Sequence, residues 1–178
     1  MNFKELNIKK ATSEHLTDIF NLARSLSLQR MPPDQAEQLG FLVSEFQKED
    51  YVSYIEKADH FYVLHEGDNL CGFLYSYSSD LIASDEWMNQ LIKSTHPDPF
   101  VLIKQICIQP DLMGKRLATH LYQHLFQQTT DCPLFTVVVT EPHNQRSVDF
   151  HRGHGFKEVF REIPPDGLPR EVWKREAQ

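Results

Sequence analysis

The sequence predicts a layered α/β or α+β domain, and three features carry that expectation. Segments of strand character alternate along the chain with segments of 3.6-residue apolar period. Two strands, His60 to His65 and Leu70 to Tyr77, are separated only by Glu66-Gly67-Asp68-Asn69, which makes them a hairpin. A chain of 178 residues suffices for one full hydrophobic core and is too short for two comfortable ones, so residues 1–178 are expected to form one domain.

In chain order, Lys4 to Lys10 reads as a first strand with Leu6 and Ile8 on its apolar face. Thr12 or Ser13 can cap the next helix, whose Leu16, Ile19, Phe20, Ala23 and Leu26 follow the helical period. Pro32-Pro33-Asp34 breaks the chain. Gln35 to Gln47 gives a weak helical pattern and Asp50 to Lys57 a second short one. After the hairpin, Ser84 to Ser94 resembles a capped helix carrying Trp87, Leu91 and Ile92. His96-Pro97-Asp98-Pro99 leads into a buried strand, Phe100 to Ile108. Lys115 to Gln128 is the best helix, with Leu117, Leu121 and Leu125 four residues apart. Leu134 to Thr140 is a β-branched strand, Asn144 to Gly153 a helix, and Gly155 to Glu162 and Glu171 to Arg175 the final strands.

Composition excludes several classes. A formal net charge of −7 argues against a nucleic-acid binder, which needs a basic face, and mildly favours a cationic acceptor such as an amine. No apolar run approaches the ~20 residues of a membrane span, and Met1 to Leu6 lacks a secretory core, so no membrane partner and a cytoplasmic location are expected. Cys71, Cys107 and Cys132 are odd in number and widely spaced, as free thiols in a reducing compartment are. His120 and His124 have a zinc-compatible spacing, but nothing supplies further ligands in a recognisable pattern, so no metal is expected. A Gly-x-x-x-x-Gly-Lys-Ser/Thr nucleotide loop is absent.

Two segments carry chemistry. Ile106-Cys107-Ile108 runs through a short turn into Gly114-Lys115-Arg116-Leu117-Ala118-Thr119 at the start of a helix, where unpaired N–H groups and the positive dipole end suit phosphate oxygens. Further on stand Asn144, Ser147, Phe150, His151, Gly155 and Phe156. Together they resemble the GNAT superfamily of N-acetyltransferases, whose loop reads Arg/Gln-x-x-Gly-x-Gly/Ala and whose second signature reads Asn-x-x-Ser/Ala-x-x-Phe/Leu-Tyr-x-x-x-Gly-Phe. Gly114 and Ala118 fit the loop. Met113 stands where the family has Arg or Gln, Arg116 where it has Gly, and His151 where it has Tyr.

The resemblance implies a mixed α/β fold, with a mostly antiparallel central sheet flanked by helices and middle strands splayed to admit acetyl-CoA as acyl donor. It implies that the backbone of Ile106, Cys107 and Ile108 meets the pantetheine arm, and that Gly114, Lys115, Arg116, Leu117, Ala118 and Thr119 cradle the pyrophosphate. Asn144 would hydrogen-bond the arm, Phe150 pack against it, and His151 donate to the departing thiolate through a ring N–H. Arg116 is expected to keep a negative φ, which the start of a helix permits. Removing the proton of a lysine-like amine at neutral pH costs roughly 4–5 kcal/mol, so a base helps, and Glu141, just past the Val137-Val138-Val139 strand, is chosen over Asp80, Asp85 and Glu86. The expected function is acetyl transfer to a primary amine of a small molecule or peptide through a ternary complex. The alternative is an acyl-CoA-binding sensor without catalysis. Relatives commonly dimerise, which makes a homodimer an expected partner state.

Overall fold

The computed structural model of the chain describes residues 6–178, so Lys4 and Glu5 of the expected first strand lie outside the described residues. A seven-stranded sheet in the order β1-β2-β3-β4-β5-β7-β6 forms the centre. Its strands are β1 (Leu6–Lys10), β2 (His60–Glu66), β3 (Asn69–Ser78), β4 (Val101–Ile108), β5 (Leu134–Val139), β6 (Lys157–Glu162) and β7 (Arg170–Arg175). Neighbours are antiparallel except β4 and β5, which run parallel. The helices are α1 (Leu16–Ser25), α2 (Pro33–Leu39), α3 (Lys48–Lys57), α4 (Trp87–Thr95), α5 (Leu117–Gln128) and α6 (Gln145–Gly153). This is the mixed α/β fold expected above.

The apolar periods explain the layering. On one face Ile19 and Leu22 of α1, Tyr51 of α3 and Ile92 of α4 pack against Phe61, Phe73, Leu102 and Phe135. On the other, Leu117, Leu121 and Leu125 of α5 and Val148 of α6 cover Leu64, Leu74, Ile103 and Trp173. Strands buried on both faces favour apolar residues throughout, which is why the centres of β2 and β3 read as apolar runs and β4 is broken only at Lys104 and Gln105. β6 is an edge strand, and its charged, exposed face suits that position.

One departure from regularity organises the centre of the sheet. Tyr75 pairs with Gln105 but Ser76 pairs with Ile103, so Lys104 is an extra residue in β4. The bulge reverses which face each side chain meets. Val101 and Ile103 lie in the α5 face and Leu102 in the α1 face, whereas beyond Lys104 it is Ile108 that joins the α5 face and Cys107 the α1 face. The same region ends the contact between β4 and β5. Their ladder covers only Val101–Leu134, Leu102–Phe135 and Ile103–Thr136. Past it, Gln105 to Ile108 pair only with β3 and Val137 to Val139 only with β7. The two central strands diverge.

The structure departs from the expected elements in one segment. The weak helix over Gln35 to Gln47 is helical only through Leu39, because Gly40 takes a φ of 73° and Leu42 then pairs with Ser27 in an isolated bridge. Residues 40–47 are an extended strap. Its carbonyls are held from two sides: Asn144 Nδ2 donates to Phe41 O at 3.1 Å and Gln105 Nε2 to Ser44 O at 3.4 Å. The strap therefore bridges α6 and the bulged part of β4. The helix expected from Ser84 begins at Trp87, with Glu86 as its N-cap.

Gly72 sets how closely β3 and β4 approach. A Cβ there would lie 2.4 Å from the Cys107 carbonyl oxygen and 2.5 Å from Ile108 Cδ1. Gly72→Ala should force the ladder apart at a cost of about 2–3 kcal/mol, lowering the melting temperature by roughly 5–10 °C in thermal denaturation followed by circular dichroism. A shift below 2 °C would mean that β4 yields at no cost.

Candidate active site

The divergence of β4 and β5 opens a cavity of about 720 Å³. Its floor is Leu102 to Ile106 and Ile108 on β4 and Thr136 to Val139 on β5; the strap and the start of α4 wall one end and the loop before α5 the other. The two sequence segments singled out for chemistry meet here. Ile106, Ile108, Gly114, Arg116, Leu117, Ala118, Thr119, Asn144, Phe150 and His151 all line this space. Lys115 and Cys107 do not: the Cys107 side chain turns into the α1-side core, where burial pushes its thiol far above the usual range. The structure therefore does not bring Cys107 into the cavity lining with Ile106 and Ile108.

The loop before α5 has an unusual backbone. Gly114 has φ 79° and Arg116 φ 63°, ψ 15°, and Arg116 is the N-cap of α5. Arg116 is thus left-handed, contrary to the negative φ expected of it. A turn that aims successive N–H groups inward needs these positive angles, and glycine normally supplies them. An arginine there costs about 1–2 kcal/mol. Its exposed guanidinium has no partner among the described residues, and its carbonyl accepts from His120 N at 3.2 Å. Thr119, in the first turn, hydrogen-bonds His154 Nε2 at 3.2 Å, which ties α5 to the end of α6.

His151 is 3 % exposed. Its Nδ1 lies 3.0 Å from the Tyr122 hydroxyl, and Phe156 and Phe150 flank the ring. Tyr122 is fully buried, and burial raises its phenol pKa, so the hydroxyl keeps its proton and shares one hydrogen bond with Nδ1. With Nδ1 as the acceptor of that bond, the ring proton sits on Nε2. Desolvation, with a smaller contribution from His154, lowers the His151 pKa to about 3. The residue is a neutral hydrogen-bond donor.

Asn144 does less for a ligand than the resemblance implied. Its Oδ1 caps α6 by accepting from Ser147 N at 3.3 Å, and its Nδ2 holds Phe41 of the strap. One amide N–H remains. Glu141 is exposed, beyond the end of β5, and outside the cavity lining, so the structure does not bring the expected base together with the other residues. The carboxylates that do line the cavity are Asp85, Glu86 and Asp166. Asp166 is forked by the Arg170 guanidinium at 2.9 and 2.5 Å, which lowers its pKa despite opposing desolvation.

Glu86 and Lys104 are the residues that sequence reasoning underweighted. Glu86 Oε2 accepts from Tyr77 OH and Asn89 Nδ2, both at 2.5 Å, and lies 3.1 Å from Lys104 Nζ. Oε1 accepts from Ala83 N at 3.1 Å. Desolvation works against ionisation of Glu86, but Lys104, Tyr77 and Ala83 outweigh it and the carboxyl sits below its ordinary range. The available signal was Lys104 itself, a cation inside an otherwise apolar strand. Among the described residues no group of three or more His, Cys, Asp and Glu converges as a metal site; His124 packs edge-on against Tyr62 and His120 is exposed. No helix of the described residues is long and apolar enough to cross a membrane.

The His151 pKa has a consequence for stability. A histidine with a folded pKa near 3 and an unfolded one near 6.5 takes up a proton on unfolding between those values, so stability falls as pH drops below about 6.5. Between pH 7 and pH 5 this group removes about 2 kcal/mol. His151→Gln, compared with wild type by urea unfolding at both pH values, should lose about 2 kcal/mol less on acidification. Equal losses would place the imidazole in contact with solvent.

The comparisons with known proteins agree with this geometry. Comparison with curated protein sequences returns no match. Among solved structures, a GNAT-family acetyltransferase from Streptococcus agalactiae 2603 superposes with a TM-score of 0.70 at 16 % identity, over 99 % of this chain and 98 % of that one. Ard1 from Thermoplasma volcanium gives 0.70 at 10 % identity over 97 % and 98 %. Arabidopsis thaliana Naa50, solved with the bisubstrate analogue CoA-Ac-MVNAL, gives 0.67 at 12 % over 96 % and 98 %. At such identities the likeness speaks for the fold. The profile of the Acetyltransferase (GNAT) family matches residues 22–156, most of the chain, and the protein belongs to that family.

Proposed function

We propose that the protein is an N-acetyltransferase that moves the acetyl group of acetyl-CoA to a primary amine by direct attack in a ternary complex. The observation that carries this reading is the end of the β4–β5 ladder at Ile103–Thr136, directly over a cavity that reaches the positive-φ loop before α5. A strand edge without a partner leaves main-chain donors and acceptors open, and an extended amide-bearing chain satisfies them. The pantetheine arm is such a chain. The loop suits the pyrophosphate because Gly114 leaves the backbone accessible, with nothing within 4 Å of a Cβ built there, and Arg116 holds an unpaired cation beside it.

The thioester supplies an activated acyl carbon and a leaving group of modest basicity. This chain's own residues do the rest. Main-chain N–H groups of β4 beyond the bulge polarise the carbonyl. His151, neutral and anchored by Tyr122, offers Nε2–H to the sulfur as charge develops there. A donor without net charge stabilises the thiolate by hydrogen bonding and does not titrate between pH 5 and 9, so it adds no limb to the rate profile.

Two structural neighbours carry acceptor chemistry: Naa50, solved with a CoA-peptide analogue, and a ribosomal-protein-S18-alanine N-acetyltransferase from Escherichia coli. These support an amine acceptor, small molecule or peptide, for this chain as well. A sensor that binds acyl-CoA without turnover is the competing reading, and Arg116 in place of glycine fits either.

Isothermal titration calorimetry with acetyl-CoA tests the reading. Wild type should bind, and Gly114→Glu or Ala118→Glu should abolish binding by placing a carboxylate against the phosphates. Arg116→Gly should relieve the backbone strain, keeping or raising the melting temperature, while weakening acetyl-CoA about tenfold and flattening the salt dependence. Unchanged affinity in both glutamate variants would remove the cofactor from this loop, and thiol release with amines separates enzyme from sensor.

A further inference from the structure

We infer that Glu86 is the acceptor-amine anchor and that the subsite around it selects a primary amine borne on an apolar group. The inference rests on the acetyltransferase reading above and names the substrate class of that same cavity.

Elimination among the carboxylates singles out Glu86. Asp166 is taken by Arg170, Asp85 is exposed, and Glu141 lies outside the lining. Glu86 is half-buried, faces the cavity, and is fixed in place. Three donors, from Tyr77, Asn89 and Lys104, saturate Oε2. Among the described residues Oε1 accepts only from the Ala83 N–H, which leaves one of its lone pairs open. Rigid support of this kind is what a group needs if it is to orient a nucleophile.

The chemistry at this position is electrostatic. Glu86 is held as an anion by its donors and does not act as a strong base. An amine attacking a carbonyl acquires positive charge on nitrogen, and a fixed carboxylate oxygen beside it stabilises that charge. Lys104, 3.1 Å from the same carboxylate, disfavours a second full cation and pushes the bound amine toward its neutral form. The balance is complete. The ammonium first loses one proton past Glu86 to solvent; the C–N bond forms and the C–S bond breaks. The second nitrogen proton reaches the departing sulfur, to which His151 Nε2–H is hydrogen-bonded. Amide, free thiol and one released proton result.

The walls set the class of acceptor. Leu42 and Val43 of the strap and Trp87 and Met88 of α4 line the space, and the Trp87 indole is 43 % exposed. Apolar walls remove water from the amine and favour its neutral form, and an exposed indole gives a flat surface for an aromatic or large aliphatic group. A polyamine would bring further positive charges toward Lys104, while Asp166 is already held by Arg170. The shared chemistry, an amine beside an apolar group, comes either from a free arylalkylamine or from a peptide with a large apolar first residue.

The experiment follows free thiol with acetyl-CoA and four acceptors: phenethylamine, a Phe-initiated peptide, spermidine, and an N-terminally blocked lysine peptide. One of the first two should exceed both of the others at least tenfold in kcat/KM, and whichever leads identifies the source. Glu86→Gln should lower kcat about 100-fold while calorimetric affinity for acetyl-CoA stays within threefold. Trp87→Ala, at an exposed position, should raise KM for the preferred amine about tenfold with kcat nearly unchanged. The acidic limb of kcat/KM should move with the basicity of the acceptor and persist in Glu86→Gln. Preference for spermidine or the lysine peptide, turnover of none of the four, or Glu86→Gln activity within threefold of wild type overturns the assignment. Absence of acetyl-CoA binding by wild type would sink the acetyltransferase reading itself, a separate failure.

Discussion

Everything at the centre of this molecule follows from a strand edge that loses its partner partway along. β4 is bonded on both sides as far as Ile103 and on one side only beyond it. Unpaired main-chain groups inside a protein cost free energy unless water or a ligand meets them, and an open parallel edge is an unusual thing for a fold to keep. The bulge at Lys104 makes it sustainable. By adding a residue, it turns the apolar side chains after it onto the opposite faces, so β4 continues to fill both cores while bending away from β5. Gly72 then lets β3 follow the bend closely.

The cavity so formed has to be closed on its open sides, and the chain does so with hydrogen bonds, not with apolar packing alone. The strap over residues 40–47 is fastened by Asn144 at one end and Gln105 at the other, and Arg146 Nη1 adds a bond to Gln38 O at 2.8 Å. Gln105 is in turn fixed by the buried Tyr51 hydroxyl at 2.8 Å. The strap thus depends on the residue next to the bulge, and the cavity wall it forms is coupled to the same irregularity that parts β4 from β5. This explains why Asn144 spends its side chain on the protein: capping α6 and holding the strap place Phe150 and His151 on the one hand and Leu42 on the other.

Much of the fold is legible in the sequence because the signals involved are local and repeated. The Leu117-Leu121-Leu125 stripe, the Gly67 hairpin and the Val137-Val138-Val139 run each identify an element within a residue or two of its observed ends. The failed helix over 40–47 shows where local reading stops: its backbone is decided by Ser27 and Asn144, which are distant in sequence, and by the positive φ of Gly40. The loop and α6 motifs locate the donor end of the site because they are contiguous. Arg116 misleads, since nothing in a single sequence reveals that a non-glycine residue tolerates a left-handed turn. Glu141 misleads differently, because closeness to a strand end says nothing of which way the following loop leaves. Glu86 and Lys104 come from separate segments, and their pairing joins the start of α4 to the bulged residue of β4.

The substitution of histidine for tyrosine at position 151 has a physical reading that joins these levels. A phenol donates its own hydrogen bond; an imidazole this deeply buried must be told which nitrogen carries the proton. Tyr122, on α5, does that when its hydroxyl donates to Nδ1, and its burial against Phe126, Phe150 and Phe156 holds the pair rigid. In the proposed reaction the donor function is shared by two residues, one on each of α5 and α6. Desolvation keeps the imidazole neutral, so His151 brings no cation to the cavity, whose charged lining includes Arg116 at the loop, the Glu86–Lys104 pair at the bulge and the Asp166–Arg170 pair. In the proposed reaction, a neutral donor at His151, Arg116 toward the pyrophosphate and the Glu86–Lys104 pair toward the amine suit an uncharged thioester tethered to a polyanion.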